Sequence, residues 1–92
     1  MANERGTDDS IMEFPCEFPI KMMGRATPEF HVTVRELVEK HTGGLDDAAF
    51  QSAESRNGRF VSITVTITAD SREQLDAIYH DLTDHDDVLM AL

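Results

Sequence analysis

Ninety-two residues, with eighteen acids against eight bases and a formal charge of −10, leave room for one small domain with a limited core. That balance repels phosphate backbones and anionic lipid, and favours neutral or basic partners. The single cysteine, Cys16, excludes an internal disulfide and a cysteine metal cluster, and no apolar run approaches the roughly 18 residues needed to span a bilayer.

Residues 1–10 are polar and contain Gly6, so they read as a flexible tail ahead of a single domain over 11–92. No basic-then-apolar leader is visible there, which makes the cytoplasm the expected location. Phe14-Pro15 and Phe18-Pro19 then repeat a Phe-Pro pair four residues apart. Proline lacks an N–H and biases its predecessor to extended backbone, so an extended lead-in is expected, anchored by the phenylalanines. A first strand follows over about 18–23, with Ile20 and Met22 on the side of Phe18. Pro19 should limit pairing where it begins.

Gly24 to Thr27 connects to a helix. Thr27 suits the N-cap, Pro28 the first helical position, and Glu29 the positive end of the dipole. Phe30, Val34, Leu37, Val38 and His41 share one face. Lys40 and His41 fall in the last turn, where cations are favoured, and Gly43-Gly44 ends the helix. Leu45 to Asp47 reads as a polar connection, and 48–55 as a weak edge strand with Phe50 its only large apolar residue. Asn57-Gly58 gives a strong hairpin signal, because both residues tolerate positive φ.

The run from Phe60 to Thr68 is the most regular in the chain: Val61, Ile63, Val65 and Ile67 alternate with Ser62, Thr64, Thr66 and Thr68. Alternation sends one set to each face, so this strand is aliphatic on one side and hydroxylated on the other. Ser71 and Gln74 have capping-box spacing for a second helix, whose stripe is Leu75, Ile78, Tyr79 and Leu82. Residues 84–87 stop it, and 88–92 form a last short strand. The order β-α-β-β-α-β predicts an α+β, ferredoxin-like two-layer sandwich: four antiparallel strands in the order 4-1-3-2, with two helices on one face. The expected core is Phe18, Ile20, Met22, Phe30, Val34, Leu37, Val38, the four aliphatics of the regular strand, Leu75, Ile78, Leu82, Val88 and Met90.

Glu13-Phe14-Pro15, Phe18, Lys21-Met22-Met23-Gly24, Pro28-Glu29-Phe30, the Asn57-Gly58 hairpin with its Ser-Ile-Thr-Val-Thr strand and the ending Val88-Leu89-Met90-Ala91-Leu92 resemble the YbeD-like family of small bacterial proteins. The likeness runs from about residue 11 to 92. It implies a ferredoxin-like fold similar to ACT-type regulatory domains, and genes often lying beside those for lipoate attachment. It defines no catalytic or ligand residues.

Two places invite a functional reading. A glycine-containing strand-to-helix loop can offer donors to a small carboxylate, so Gly24, Arg25 and Thr27 form a candidate site for an anionic metabolite, set against plain turning and capping roles. The hydroxyl face, Ser62, Thr64 and Thr66, is a candidate interaction surface for a partner protein or a second copy, set against simple solvation. The same topology in RNA-binding domains carries stacking aromatics on that face, so nucleic acid is disfavoured here.

His80 and His85 with Asp81, Asp84, Asp86 and Asp87 form the densest titratable cluster, whose bland reading is a solvated helix end. Cys16 beside Glu17 has no activating base, and no phosphate loop, dinucleotide fingerprint or nucleophile motif occurs. The expected function is a non-catalytic regulatory or binding module, a monomer or homodimer without a cofactor or resident metal. The alternative is a metal-dependent accessory enzyme built on the acidic, histidine-containing C-terminal cluster.

Overall fold

The computed structural model describes residues 13–92. The expected tail over residues 1–10 lies outside the described residues. The elements are β1 (Cys16–Arg25), α1 (Pro28–Thr42), a short 3-10 turn (Asp47–Ala49), β2 (Phe50–Glu54), β3 (Phe60–Ala69), α2 (Arg72–Thr83) and β4 (Val88–Ala91). The four strands form one antiparallel sheet in the order β2-β3-β1-β4. Read from the other edge this is 4-1-3-2, the ferredoxin-like arrangement expected from the sequence.

Alternation on the two central strands sets the layers. Ile20, Met22 and Gly24 on β1, and Val61, Ile63, Val65, Ile67 and Ala69 on β3, are all buried. They meet Phe30, Val34 and Val38 of α1 and Leu75, Ile78 and Leu82 of α2 in one cluster. Both helices thus cover the same side of the sheet. The register places Phe18 opposite Ile67, Ile20 opposite Val65 and Met22 opposite Ile63, so both central strands send their aliphatic rows into that layer. Phe18 and Leu37, expected in the core, are only half-buried against its margin. Met90 is not in the core: it pairs with Met23 on the opposite face and is 50% exposed. A register irregularity between Met23 and Gly24, where β4 steps from Met90 to Val88, accounts for this.

The lead-in also differs from the expectation. The chain bends at Phe14–Pro15, whose peptide bond is cis, and becomes extended at Cys16. The first strand therefore starts two residues earlier than read, and Pro19 lies well inside it, paired with Thr66. The Lys21 N–H donates to the Leu92 main-chain oxygen on the β4 side, so two residues earlier the Pro19 nitrogen points to that side as well. The β4 pairing begins only at Lys21. The missing donor of Pro19 thus removes no ladder bond, as proline in a sheet requires.

Helix ends follow the sequence closely. Thr27 Oγ1 accepts from Phe30 N at 3.2 Å, and Ser71 Oγ accepts from Gln74 N at 3.1 Å. Gly43 takes φ +83° and its N–H donates to Glu39 O, ending α1 in a conformation open chiefly to glycine. The weak strand expected over 48–55 shortens to Phe50–Glu54, because Ala49 N donates to Asp46 O and closes a 3-10 turn first. The β2–β3 connection is five residues, 55–59, four of them enclosed by the Ser55–Phe60 bond, and not a two-residue turn. Ser55 N donates to Phe60 O across the loop, Gly58 takes φ +73°, and Asn57 Oδ1 accepts from Arg59 N.

Candidate functional site

Gly24, Arg25 and Thr27 do come together at the sheet-to-helix connection, but the geometry gives each a structural task. Gly24 is buried, and a Cβ built on it would lie 2.4 Å from Phe30 Cε1 and 2.6 Å from Asp87 O. Its hydrogen is what lets the Phe30 ring and the α2–β4 connection close over β1. Thr27 caps the helix, its own N–H donates to Arg25 O, and Ala26 N donates to Arg59 O. With Pro28 carrying no N–H and Phe30 N held by the cap, Glu29 N is the donor left at the helix start. Arg25 and Thr27 line a cleft of about 100 Å³ with Phe30, Leu89 and two acids, Asp86 and Asp87. A bare carboxylate in this cleft meets those two acids as well as Arg25. Only a ligand with a positive group of its own matches both signs.

Among the described residues, the other face of the sheet carries no helix. Ser62, Thr64 and Thr66 lie on it, as the alternation requires, with Ser62 and Thr64 half-buried and Thr66 exposed. Cross-strand neighbours follow from the register. Thr64 lies between Gln51 and Lys21. Ser62 lies between Ala53 and Met23, with Met90 beyond. Phe60 lies beside Arg25. The hydroxyl row thus gives way at the hairpin end to an apolar group. There Met23, Ala53, Phe60 and Ser62 line a shallow depression of about 150 Å³. Reading β3 alone did not find this, since Met23 and Met90 join Phe60 only through pairing with other strands. The Met22-Met23 doublet was a faint signal of it.

The charged residues read as candidates resolve into helix clamps. His41 Nε2 lies 2.6 Å from Asp81 Oδ2, and Lys40 Nζ 3.4 Å from the same oxygen. The bond to His41, then that to Lys40, holds the Asp81 carboxyl below the ordinary carboxylate range. One α2 turn-pair earlier, Gln74 Nε2 donates to His41 O at 2.9 Å, and Gln74 Oε1 accepts from Asp70 N at 2.7 Å. Gln74 and Asp81 therefore hold the C-terminal turn of α1 from the same side of α2. His85 Nδ1 accepts from Asp87 N within its own turn. Among the described residues no three His, Cys, Asp or Glu side chains converge as metal ligands. The alternative metal-dependent reading is left without a donor set there.

A second clamp was not anticipated. Arg35 donates to Glu39 Oε2 at 3.1 Å, to Asp47 Oδ1 at 2.6 Å and to Leu45 O, and its guanidinium carbon sits 4.9 Å from the Phe50 ring centroid. Glu39 also accepts from Leu45 N at 2.7 Å. That backbone bond first, then Arg35, depresses the Glu39 pKa. The network fixes the α1–β2 connection, and Arg35, Asp47 and Phe50 line an open groove of about 320 Å³ with His31 and Val32. Its only sequence signal was the i,i+4 spacing of Arg35 and Glu39. Cys16 is a free thiol, half-buried at the margin of the core.

Comparison with known proteins places the chain. A family described as "Protein of unknown function (DUF493)" matches residues 9–92. The chain belongs to that family. A UPF0250 protein of Nitrosomonas europaea is 43% identical over 86 residues, covering 94% of this chain and 99% of that one. Another, from Chromobacterium violaceum, is 48% identical over 82 residues, covering 89% and 92%. The YbeD-like resemblance read from the motifs is borne out, and the family indicates no catalytic class. Among solved structures, the solution structure of protein HP0495 from H. pylori superposes with a TM-score of 0.70 at 20% identity, covering 97% of this chain and 89% of that one. At that identity the likeness is one of fold. No helix among the described residues is long and apolar enough to cross a membrane.

Proposed function

We propose that the protein is a small non-catalytic regulatory or binding module whose open sheet face receives a partner protein. The observation that carries this reading is the composition of that face. An antiparallel sheet can leave one side in water, and a purely solvated side needs only polar residues. Here Phe60, Met90 and Leu92 are 36%, 50% and 62% exposed, and Met23 sits between them in register. Single exposed apolar residues are ordinary, but a group of them on the face that no described element covers is a feature of interaction surfaces. Methionine is also suited to contacts that must adapt to a partner's shape.

A metabolite at the Gly24–Thr27 loop is less well supported, because most donors there are already used and two acids share its cleft. The link to lipoate attachment implied by the family resemblance makes lipoate-attachment enzymes the first partners to try. The test is affinity capture from native lysate with the wild-type chain, with Thr64→Arg on the open face, and with Glu36→Arg on the exposed side of α1. A partner held by the wild type and by Glu36→Arg but lost from Thr64→Arg is the expected result. Retention by all three, or no specific partner at all, overturns the assignment.

A further inference from the structure

The cations of this acidic chain are unevenly used. Arg35 is bound to Glu39 and Asp47, and Lys40 to Asp81. Lys21, Arg25, Arg56 and Arg59 have no ion-pair partner among the described residues, although acids outnumber bases eighteen to eight. Arg25, Arg56 and Arg59 lie at the hairpin end of the sheet, and Lys21 lies midway along it, opposite Thr64. Lys21 and Arg25 project from β1 on the open face, Arg25 directly beside Phe60, while Arg56 and Arg59 lie in the loop that leads into Phe60. Of the open-face positions on the four strands, only Glu17 is acidic, and it lies at the far end opposite Thr68. The acids nearest the apolar group are Glu54, which lines its rim from β2, and Asp86 and Asp87, which share the neighbouring cleft with Arg25. They leave Arg56 and Arg59 as the cations clear of them. The exposed Phe60 and Met90 and the half-buried Met23 thus sit near cations that have no ion-pair partner among the described residues.

Building on the open-face reading above, we infer that this end of the sheet docks an acidic segment of a partner protein that carries an apolar anchor. Phe60, Met23 and Met90 receive the anchor, and the cations receive flanking carboxylates. Three of the four cations are arginines, whose planar forks match carboxylates in two parallel hydrogen bonds. The overall charge of −10 favours neutral or basic partners at long range. At physiological salt, however, fields fade over about 8 Å, so the local cations dominate at contact. A nucleic acid fits less well: one exposed aromatic is no stacking platform, and a long polyanion extends beyond the four cations onto acidic surface.

The experiment follows amide signals of the full chain by NMR during titration with three probes. These are a short synthetic peptide of alternating glutamate and leucine, its lysine-leucine counterpart and a single-stranded DNA oligonucleotide. The acidic peptide should move Met23, Arg25, Phe60 and Ser62, and its affinity should fall about tenfold as monovalent salt rises from roughly 50 to 300 mM. The double variant Arg25→Glu, Arg59→Glu should bind it about tenfold more weakly, and Phe60→Ala should weaken it too, with unchanged Tm because all three positions are exposed. Several results overturn the inference: no shift at millimolar peptide, equal shifts with the lysine peptide, tighter binding of the oligonucleotide, or undiminished binding by the double variant. Self-association abolished by Arg25→Glu assigns the surface to a second copy instead and overturns it equally. Lysate capture separates this failure from that of the face itself. A partner lost from Thr64→Arg yet kept by the double variant leaves the face standing and removes the acidic chemistry, whereas one kept by both removes the two together.

Discussion

Replacing Gly24 by alanine is the sharpest perturbation of the fold around the candidate loop, because two physical effects predict opposite signs. Gly24 lies in a strand at a backbone conformation open to any residue. On conformational entropy alone, Gly24→Ala should therefore stabilise the protein by about 0.4–1 kcal/mol. Packing predicts the reverse. The new methyl meets Phe30 Cε1 at 2.4 Å, Phe30 Cζ at 2.6 Å and Asp87 O at 2.6 Å. Phe30 is 1% exposed and has no free volume to move into, and the Asp87 contact is backbone, directly ahead of β4. Overpacking of this kind costs about 1–3 kcal/mol, and a closely hemmed site belongs near the top of that range. For a domain of this size a 2–3 kcal/mol loss is a fall of roughly 10–20 °C in Tm.

Urea unfolding followed by far-UV circular dichroism measures it directly. Repeating the substitution in a Phe30→Leu background removes two of the three clashes and should recover about 1 kcal/mol or more of the cost as a coupling energy. Stability within about 0.5 kcal/mol of wild type, or an equal cost in both backgrounds, would refute the account of why glycine stands here. The same reasoning warns that loss of ligand binding in a Gly24 variant reports on folding.

The remaining predictions concern caps, clamps and acid sensitivity. Thr27→Ala and Ser71→Ala should each cost about 1 kcal/mol in urea unfolding, since each removes the acceptor for a helix-start N–H, with Thr27→Ser nearly neutral. Asp81 and Glu39 have depressed pKa values, so they bind fewer protons when folded. Their contributions are complete above the unfolded carboxylate values near 4 and are lost as pH falls through the lower folded values. Asp81→Asn and Glu39→Gln should therefore flatten the acid limb of a Tm-against-pH curve below about pH 4.5, and an unchanged limb in the double variant contradicts the clamps. Arg35→Ala should leave the sheet protected but speed hydrogen exchange at Leu45 and Ala49, whose amides depend on the segment that Arg35 holds.

Most of the fold was legible in the sequence because local signals agreed with one another. The alternation of β3, the Thr27 and Ser71 caps and the glycine stop at Gly43 each specify an element without reference to the rest, and their order then leaves few topologies. What escaped was set by contacts between segments distant in sequence. Met90 looked like core because a short terminal strand gives no face assignment by itself, and only pairing with Met23 decides it. The 3-10 turn at Asp47–Ala49 is closed locally by Ala49 N and Asp46 O, but Asp47 is also held by Arg35, twelve residues earlier, a contact the local sequence does not announce. Asn57-Gly58 marked the hairpin correctly but not its loop length, which Ser55 and Phe60 fix from either side. The candidate loop was found in sequence through its glycine, yet the reason for that glycine is the Phe30 ring. The apolar end of the open face exists only in the assembled sheet.

Site-specific photocross-linking tests the central claim, that the open face is where the protein meets its partner. A benzophenone amino acid would replace Thr66 and, separately, Met90 on that face, with Glu36 on α1 as the control. All three positions are exposed, so the probe should be tolerated. After irradiation in living cells the account predicts discrete adducts of the same partner from Thr66 and Met90 and none from Glu36. Adducts from Glu36 alone, or equal labelling at all three positions, would contradict it.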